Sequence, residues 1–184
     1  MRKSLFLIVA GSAFVVITTA LPASAATSGR TEMTAMGSAG PTTTTFTVTT
    51  GALTITTPDS VNLGSGAPGT TIGPTALGTV TVNDNRASAS ASWAATVSST
   101  DFTTGSQTIP ATDATYTTGT ITKTGTITIT SVPTLALTGA AQTVVSGTAG
   151  SGNNSAAWNP TIAIAVPVAA VAGLYTGTIT HSVS

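Results

Sequence analysis

Cysteine is missing from all 184 residues, histidine occurs once, and only 5% of residues carry a charge. Without cysteine there can be no disulfide framework, no thiol nucleophile, no thiolate-bound zinc and no lipid-modified N-terminal cysteine. With His181 as the single histidine, any serine, histidine and aspartate relay would have to be built on it, and it falls in an alternating run that reads as a packed strand. Aromatic residues are also few, at 4%. A chain this poor in reactive and charged groups must be held by an ordinary apolar core, and metal or cofactor chemistry has little to work with.

The ten formal charges cancel, with five basic and five acidic residues. Arg2 and Lys3 open the chain, followed by an apolar run from Leu5 to about Ile17 and the small-residue exit Ala23-Ser24-Ala25. This layout predicts a secretory signal peptide over residues 1–25, cleaved after Ala25, with no stable membrane insertion afterwards. Cleavage leaves Arg30, Arg86 and Lys123 against Glu32, Asp59, Asp84, Asp101 and Asp113, a weakly acidic set. No basic stripe remains to neutralise phosphates, so nucleic acid is not an expected partner.

Residues 26–45 are small and polar, with Gly40-Pro41 before a threonine run, and read as a flexible leader that is a compositional candidate for glycosylation. From Phe46 the period becomes two. Phe46 and Val48, Leu53 and Ile55, Val80 and Val82, Trp93 with Ala95 and Val97 each alternate with small polar residues. The same holds for Ile127 and Ile129, for Ile162, Ile164 and Val166, and for Tyr175 through Val183. Threonine, about a quarter of the chain, suits such strands: its β-branch fits a pleated surface and its hydroxyl keeps the outer face wet. Turn signals fall at Pro58-Asp59, Asn62 to Gly73, Asn83 to Arg86, Thr104-Gly105, Gly119, Val132-Pro133, Gly147 to Asn154 and Ala172-Gly173. The expectation is an all-β, antiparallel two-sheet sandwich with Ig-like or Greek-key connections over residues 46–184. The local repeat in TTGTITKTGTITIT, residues 117–130, predicts either two strands meeting near Lys123 to Gly125 or one bulged strand. Its Thr-x-Thr spacing also resembles ice-binding solenoids, which need that period along the whole chain.

Chemistry-bearing residues are scattered. Asp84, Asp101 and Asp113 occupy separate predicted turns and suggest no glycosidase pair. Asn83-Asp84-Asn85 offers oxygen ligands but too few for calcium, so no metal and no cofactor is expected. One stretch, VNDNRASASASWAATVS, concentrates Asp84, Arg86 and Trp93. Either Asp84 closes a turn, Arg86 pairs with it and Trp93 anchors the core, or these three gather with the end of the last strand around a surface feature that binds a ligand.

The order of these pieces resembles the WxL domain, a family of Gram-positive surface proteins associated non-covalently with the cell wall. The matching pieces are Gly51-Ala52-Leu53 with Ile55, Leu63-Gly64, Val82-Asn83-Asp84-Asn85-Arg86, Trp93, Trp158, and Gly173-Leu174-Tyr175 before the final strand. The family's two Trp-x-Leu motifs read Trp93-Ala94-Ala95 and His181-Ser182-Val183 here, and the family's usual glycine after the arginine is Ala87. The resemblance implies a secreted, non-enzymatic surface protein that binds peptidoglycan or other surface proteins, with Asp84, Arg86, Trp93, Tyr175, His181 and Val183 as candidate ligand-binding residues. Low lysine with an alanine and threonine bias points to a high-GC, actinobacterial branch. A structural, pilin-like or coat subunit that self-assembles by donating the Thr42–Thr50 segment to a neighbour's sheet edge is the alternative.

Overall fold

The computed structural model describes residues 41–184, so the predicted signal peptide and most of the predicted leader lie outside the described residues. The compact unit runs from Thr45 to Ser184. It is built from strands β1 (Leu53–Thr56), β2 (Thr71–Ala76), β3 (Val80–Ser99), β4 (Phe102–Thr104) and β5 (Gln107–Ile109). After a short 3-10 turn at Ala111–Asp113 come β6 (Ala114–Thr117), β7 (Ile121–Thr124), β8 (Thr128–Ser131), β9 (Thr134–Ala136), β10 (Gln142–Trp158), β11 (Thr161–Ala165) and β12 (Ile179–Val183).

Two antiparallel sheets pack face to face, as the period of two predicts. The larger holds β1-β3-β10-β7 in order, with β12 also on β3 and β8 also on β10; the smaller runs β2-β11-β6-β9. Among the described residues only the hairpin β4-β5 joins strands adjacent in sequence. Elsewhere the chain steps from one sheet to the other at almost every connection. The core lies between the inward rows: Val80, Val82, Trp93, Ala95, Val97, Ala156 and Trp158 from the larger sheet against Tyr116, Ile162 and Ile164 from the smaller, with Leu137 from a connection. Burying one such aliphatic side chain contributes about 1.5–3 kcal/mol.

Two long strands, β3 and β10, are the spine of the larger sheet, and both change phase along their length. In β3 the buried positions are even up to Asp84 and odd from Ala91 onward. One extra residue is therefore inserted between them, and Ala87, at φ 52°, takes the left-handed conformation of a bulge. Opposite it, β10 is irregular between Gly147 and Asn154, with Ala149 at φ 53°. Several expectations are corrected here. The turn signals at Asn83 to Arg86 and at Gly147 to Asn154 mark bulges inside continuous strands rather than chain reversals. Phe46 and Val48 alternate like a strand yet form none, because no neighbouring strand pairs with them. Tyr175 to Gly177 precede rather than join the last strand. The local repeat forms two strands, β7 and β8, that meet near Gly125.

Candidate functional site

The candidate residues divide into two groups. Asp84, Arg86 and Trp93 gather at the β3 bulge. Asp84 is fully buried (0% exposed), opposite Leu53 on one side and Asn154 on the other. The Arg86 guanidinium clasps it with both ends, Nε to Oδ1 at 2.8 Å and an Nη2 donor to Oδ2 at 2.9 Å. The same Nη2 donates to the Ser92 carbonyl at 2.8 Å, and the Arg86 amide donates to Asp84 Oδ1 at 3.2 Å. One arginine thus staples both ends of the bulge, with the planar fork that a two-oxygen acceptor requires. Its guanidinium holds the Asp84 carboxyl below the usual carboxylate range, against burial, which pulls the other way; Asn154 adds a smaller lowering. Trp93 is buried beside this pair, its Nε1 donating to Asn154 Oδ1 at 3.4 Å. With both Asp84 oxygens, the Arg86 Nε and Nη2 and the indole N–H engaged within the fold, this group is a bulge lock, and Trp93 is a core anchor.

Tyr175 and His181 belong to the second group, at the other end of β3, where His181 lies opposite Val97. His181 points between the sheets to Tyr116 of β6. Trp158 Nε1 donates to the Tyr116 hydroxyl at 3.0 Å, and that hydroxyl shares a 3.2 Å hydrogen bond with His181 Nε2 whose direction is set by the imidazole tautomer. Burial lowers the His181 pKa from 6.5 to about 4 and raises that of Tyr116 to about 12. The ring is therefore neutral in ordinary buffers.

That shift has a sign. The unfolded chain takes up a proton near pH 6.5 and the folded one only near 4, so stability is full above pH 6.5 and falls as pH drops toward 4. A single-histidine NMR titration should place the His181 midpoint near the lower value, and His181→Gln should flatten the stability profile between those limits. A midpoint near 6.5 would mean that the imidazole is hydrated.

His181 and Tyr175 line a cleft of about 870 Å³ between β12 and the β2-β11 side of the smaller sheet. Its floor is apolar, formed by Ile72, Leu77, Phe102, Ile109, Ile164 and Val166. Two connections border it, residues 57–66 after β1 and 170–178 before β12. Tyr175 closes the second of these on itself: its hydroxyl donates to the Val171 carbonyl at 2.9 Å and accepts the Val171 amide at 3.3 Å. Val61, Val171 and Leu174, the last 84% exposed, leave apolar surface along the cleft. Val183 joins neither group; it is half-buried opposite Ala95. Sequence reasoning missed Tyr116, Ser92, Asn154 and the whole 57–66 border, since partners up to 65 residues apart leave no local signal.

Among the described residues no group of three or more histidine, cysteine, aspartate or glutamate side chains could hold a metal ion. What fold and cleft define together is an antiparallel β-sandwich with an apolar seat between its sheets. No family model, curated protein or solved structure matches the chain.

Proposed function

We propose that the protein is a secreted, non-enzymatic surface module that associates non-covalently with a Gram-positive cell wall, with the cleft beside β12 as its ligand seat. The observation that carries this reading is the cleft itself, which is wide, apolar, bordered by connections and furnished with a neutral imidazole and a tyrosine ring. Its aliphatic floor suits the methyl-bearing peptide stems of peptidoglycan better than the sugar strands, which prefer flat exposed aromatic platforms. The WxL-like order of motifs supports the same reading. The position at which that family carries glycine is Ala87 here, and its backbone adopts the left-handed conformation that glycine takes freely. Arg86 and Asp84 serve the ligand only by holding the frame.

Sedimentation with protein-free peptidoglycan tests the proposal. The parent should pellet, and should do so equally at low and high salt, because almost no charge is involved. Leu174→Asp, at an exposed cleft position, should weaken pelleting by about tenfold, equivalent to roughly 1.4 kcal/mol, without changing the melting temperature. Parent protein that stays in the supernatant would overturn wall binding; undiminished pelleting of Leu174→Asp would remove the cleft from it.

A further inference from the structure

The segment Thr42–Thr50 reads TTTTFTVTT, the pattern of a half-buried strand, yet it ends in solvent: Phe46 is 88% and Val48 72% exposed. Phe46 and Val48 are two residues apart, so an extended backbone presents both on one face. A large apolar pair on an exposed, uncharged segment that pairs with no strand is an unfinished arrangement.

The cleft holds the complementary arrangement. β2 pairs only with β11 and β12 only with β3, and both contribute residues to the cleft lining. The cleft walls are nearly neutral, carrying Asp59 and the uncharged His181, and the segment has no charge at all. Nothing electrostatic opposes the match, and its apolar floor lacks a covering strand.

The segment is poorly placed to fill its own cleft. Gly51 and Asn85 are tied through the Gly51 amide at 2.8 Å, and the Asn85 amide bonds the Ala52 carbonyl at 3.0 Å, which pins the start of β1 at the bulge end of the spine. From there β1 runs toward the cleft and its continuation enters the lining at Thr57. A straight backward extension of β1 from Gly51 would lead away from the cleft.

We propose that the cleft receives the Thr42–Thr50 segment of a second copy, added as a strand at an open sheet edge with Phe46 and Val48 against the apolar floor. Because the donor surface differs from the acceptor surface, the contact is head-to-tail and does not close on a pair; it propagates into a chain of copies. Nine extended residues reach about 30 Å, enough to cross from one domain to the next. The inference does not depend on wall association, although both would occupy one seat.

Absence of cysteine makes a clean test possible. Full-length chain, expressed with its own leader and recovered from the medium, is prepared as Phe46→Cys in one batch and Leu174→Cys in another. Mixed under mild oxidation, these should form a disulfide-linked dimer at least about tenfold faster than Phe46→Cys mixed with Thr128→Cys, an exposed position on β8. In parallel, Phe46→Asp/Val48→Asp should abolish the concentration-dependent high-mass species seen by analytical ultracentrifugation, while the melting temperature stays the same because both residues are exposed. Equal crosslinking in the two mixtures, parent protein that is monomeric at every concentration, or a Phe46→Cys/Leu174→Cys chain that closes on itself would each overturn the proposal. Wall pelleting is then read on the Phe46→Asp/Val48→Asp protein, so that either reading can fail without the other.

Discussion

Gly147→Ala should cost the domain about 2–3 kcal/mol, the upper range for overpacking a filled core. Gly147 lies on β10 opposite Trp93, and a methyl group there would sit 2.6 Å from the indole Cε2, 2.8 Å from its Nε1 and 2.5 Å from Ile127 Cδ1. Ile127 could swing its terminal carbon aside, but the indole cannot move: its ring is buried, and its nitrogen is tied to Asn154. The methyl therefore has to displace the β10 backbone or the ring, and the bulge lock lies along the same pair of strands. Denaturant unfolding should show a lower midpoint at unchanged slope. Gly139→Ala, where nothing lies within 4 Å, should stay within about 0.5 kcal/mol of the parent. Combining Gly147→Ala with Trp93→Leu should cost less than the sum of the two, since the smaller side chain vacates the space the methyl needs. Additive losses would place the strain in the backbone of β10 instead.

Arg86→Ala should cost about 2–4 kcal/mol and, more tellingly, reverse a pH dependence. The loss lies between that of an exposed ion pair and that of a buried one, because Asp84 is sealed while Arg86 keeps 36% of its side-chain surface in water. In the parent the Asp84 carboxyl titrates below its ordinary 3.8, so the pair stabilises the fold above that pH and the contribution disappears as pH falls through the lowered value. Without the guanidinium, burial becomes the largest influence and raises the carboxyl, opposed only by the smaller lowering from the residue-86 amide and Asn154. The variant then loses stability as pH rises from about 4 toward 6, the range in which a buried carboxylate would have to ionise unpaired. Chemical denaturation of parent and variant across that range measures the two slopes. Parallel curves would show that water reaches Asp84 once the arginine is gone. Arg86→Lys should recover only part of the loss, since an ammonium cannot bridge both carboxylate oxygens and the Ser92 carbonyl at once.

How far the sequence carries the fold depends on whether a signal is local. Val80 with Val82 and Trp93 with Ala95 and Val97 alternate over neighbouring residues, so the strands and their buried faces were legible. The bulge was legible only as two runs out of phase: even positions up to Asp84 and odd ones from Ala91 can share one face only if an extra residue intervenes. Asn83 to Arg86 and Gly147 to Asn154 read as turns because their residue types favour reversals, whereas each segment had a partner strand to keep it extended. Phe46 and Val48 erred in the opposite direction. A period of two says which side chains share a face, not whether a neighbouring strand exists. The Asp84–Arg86 pair, two residues apart, was visible; the Trp158, Tyr116 and His181 relay was not, because its members come from three strands in two sheets. The cleft was still less accessible, being a space left where two sheets end.

In the two main sheets no strand pairs with its sequence neighbour, and this orders events in time. β1 has no partner until β3 is present, β2 waits for β11, and β3 gains its long partner only with residues 142–158 and its last one with residues 179–183. Local hairpins, the usual early shelters for an emerging chain, are limited among the described residues to the six residues of β4 and β5. A polypeptide threaded through a narrow pore from its N-terminus would stay open-chained for most of its passage. Before the final third came through, β1 on β3 and the hairpin β4-β5 would be the only paired strands among those described.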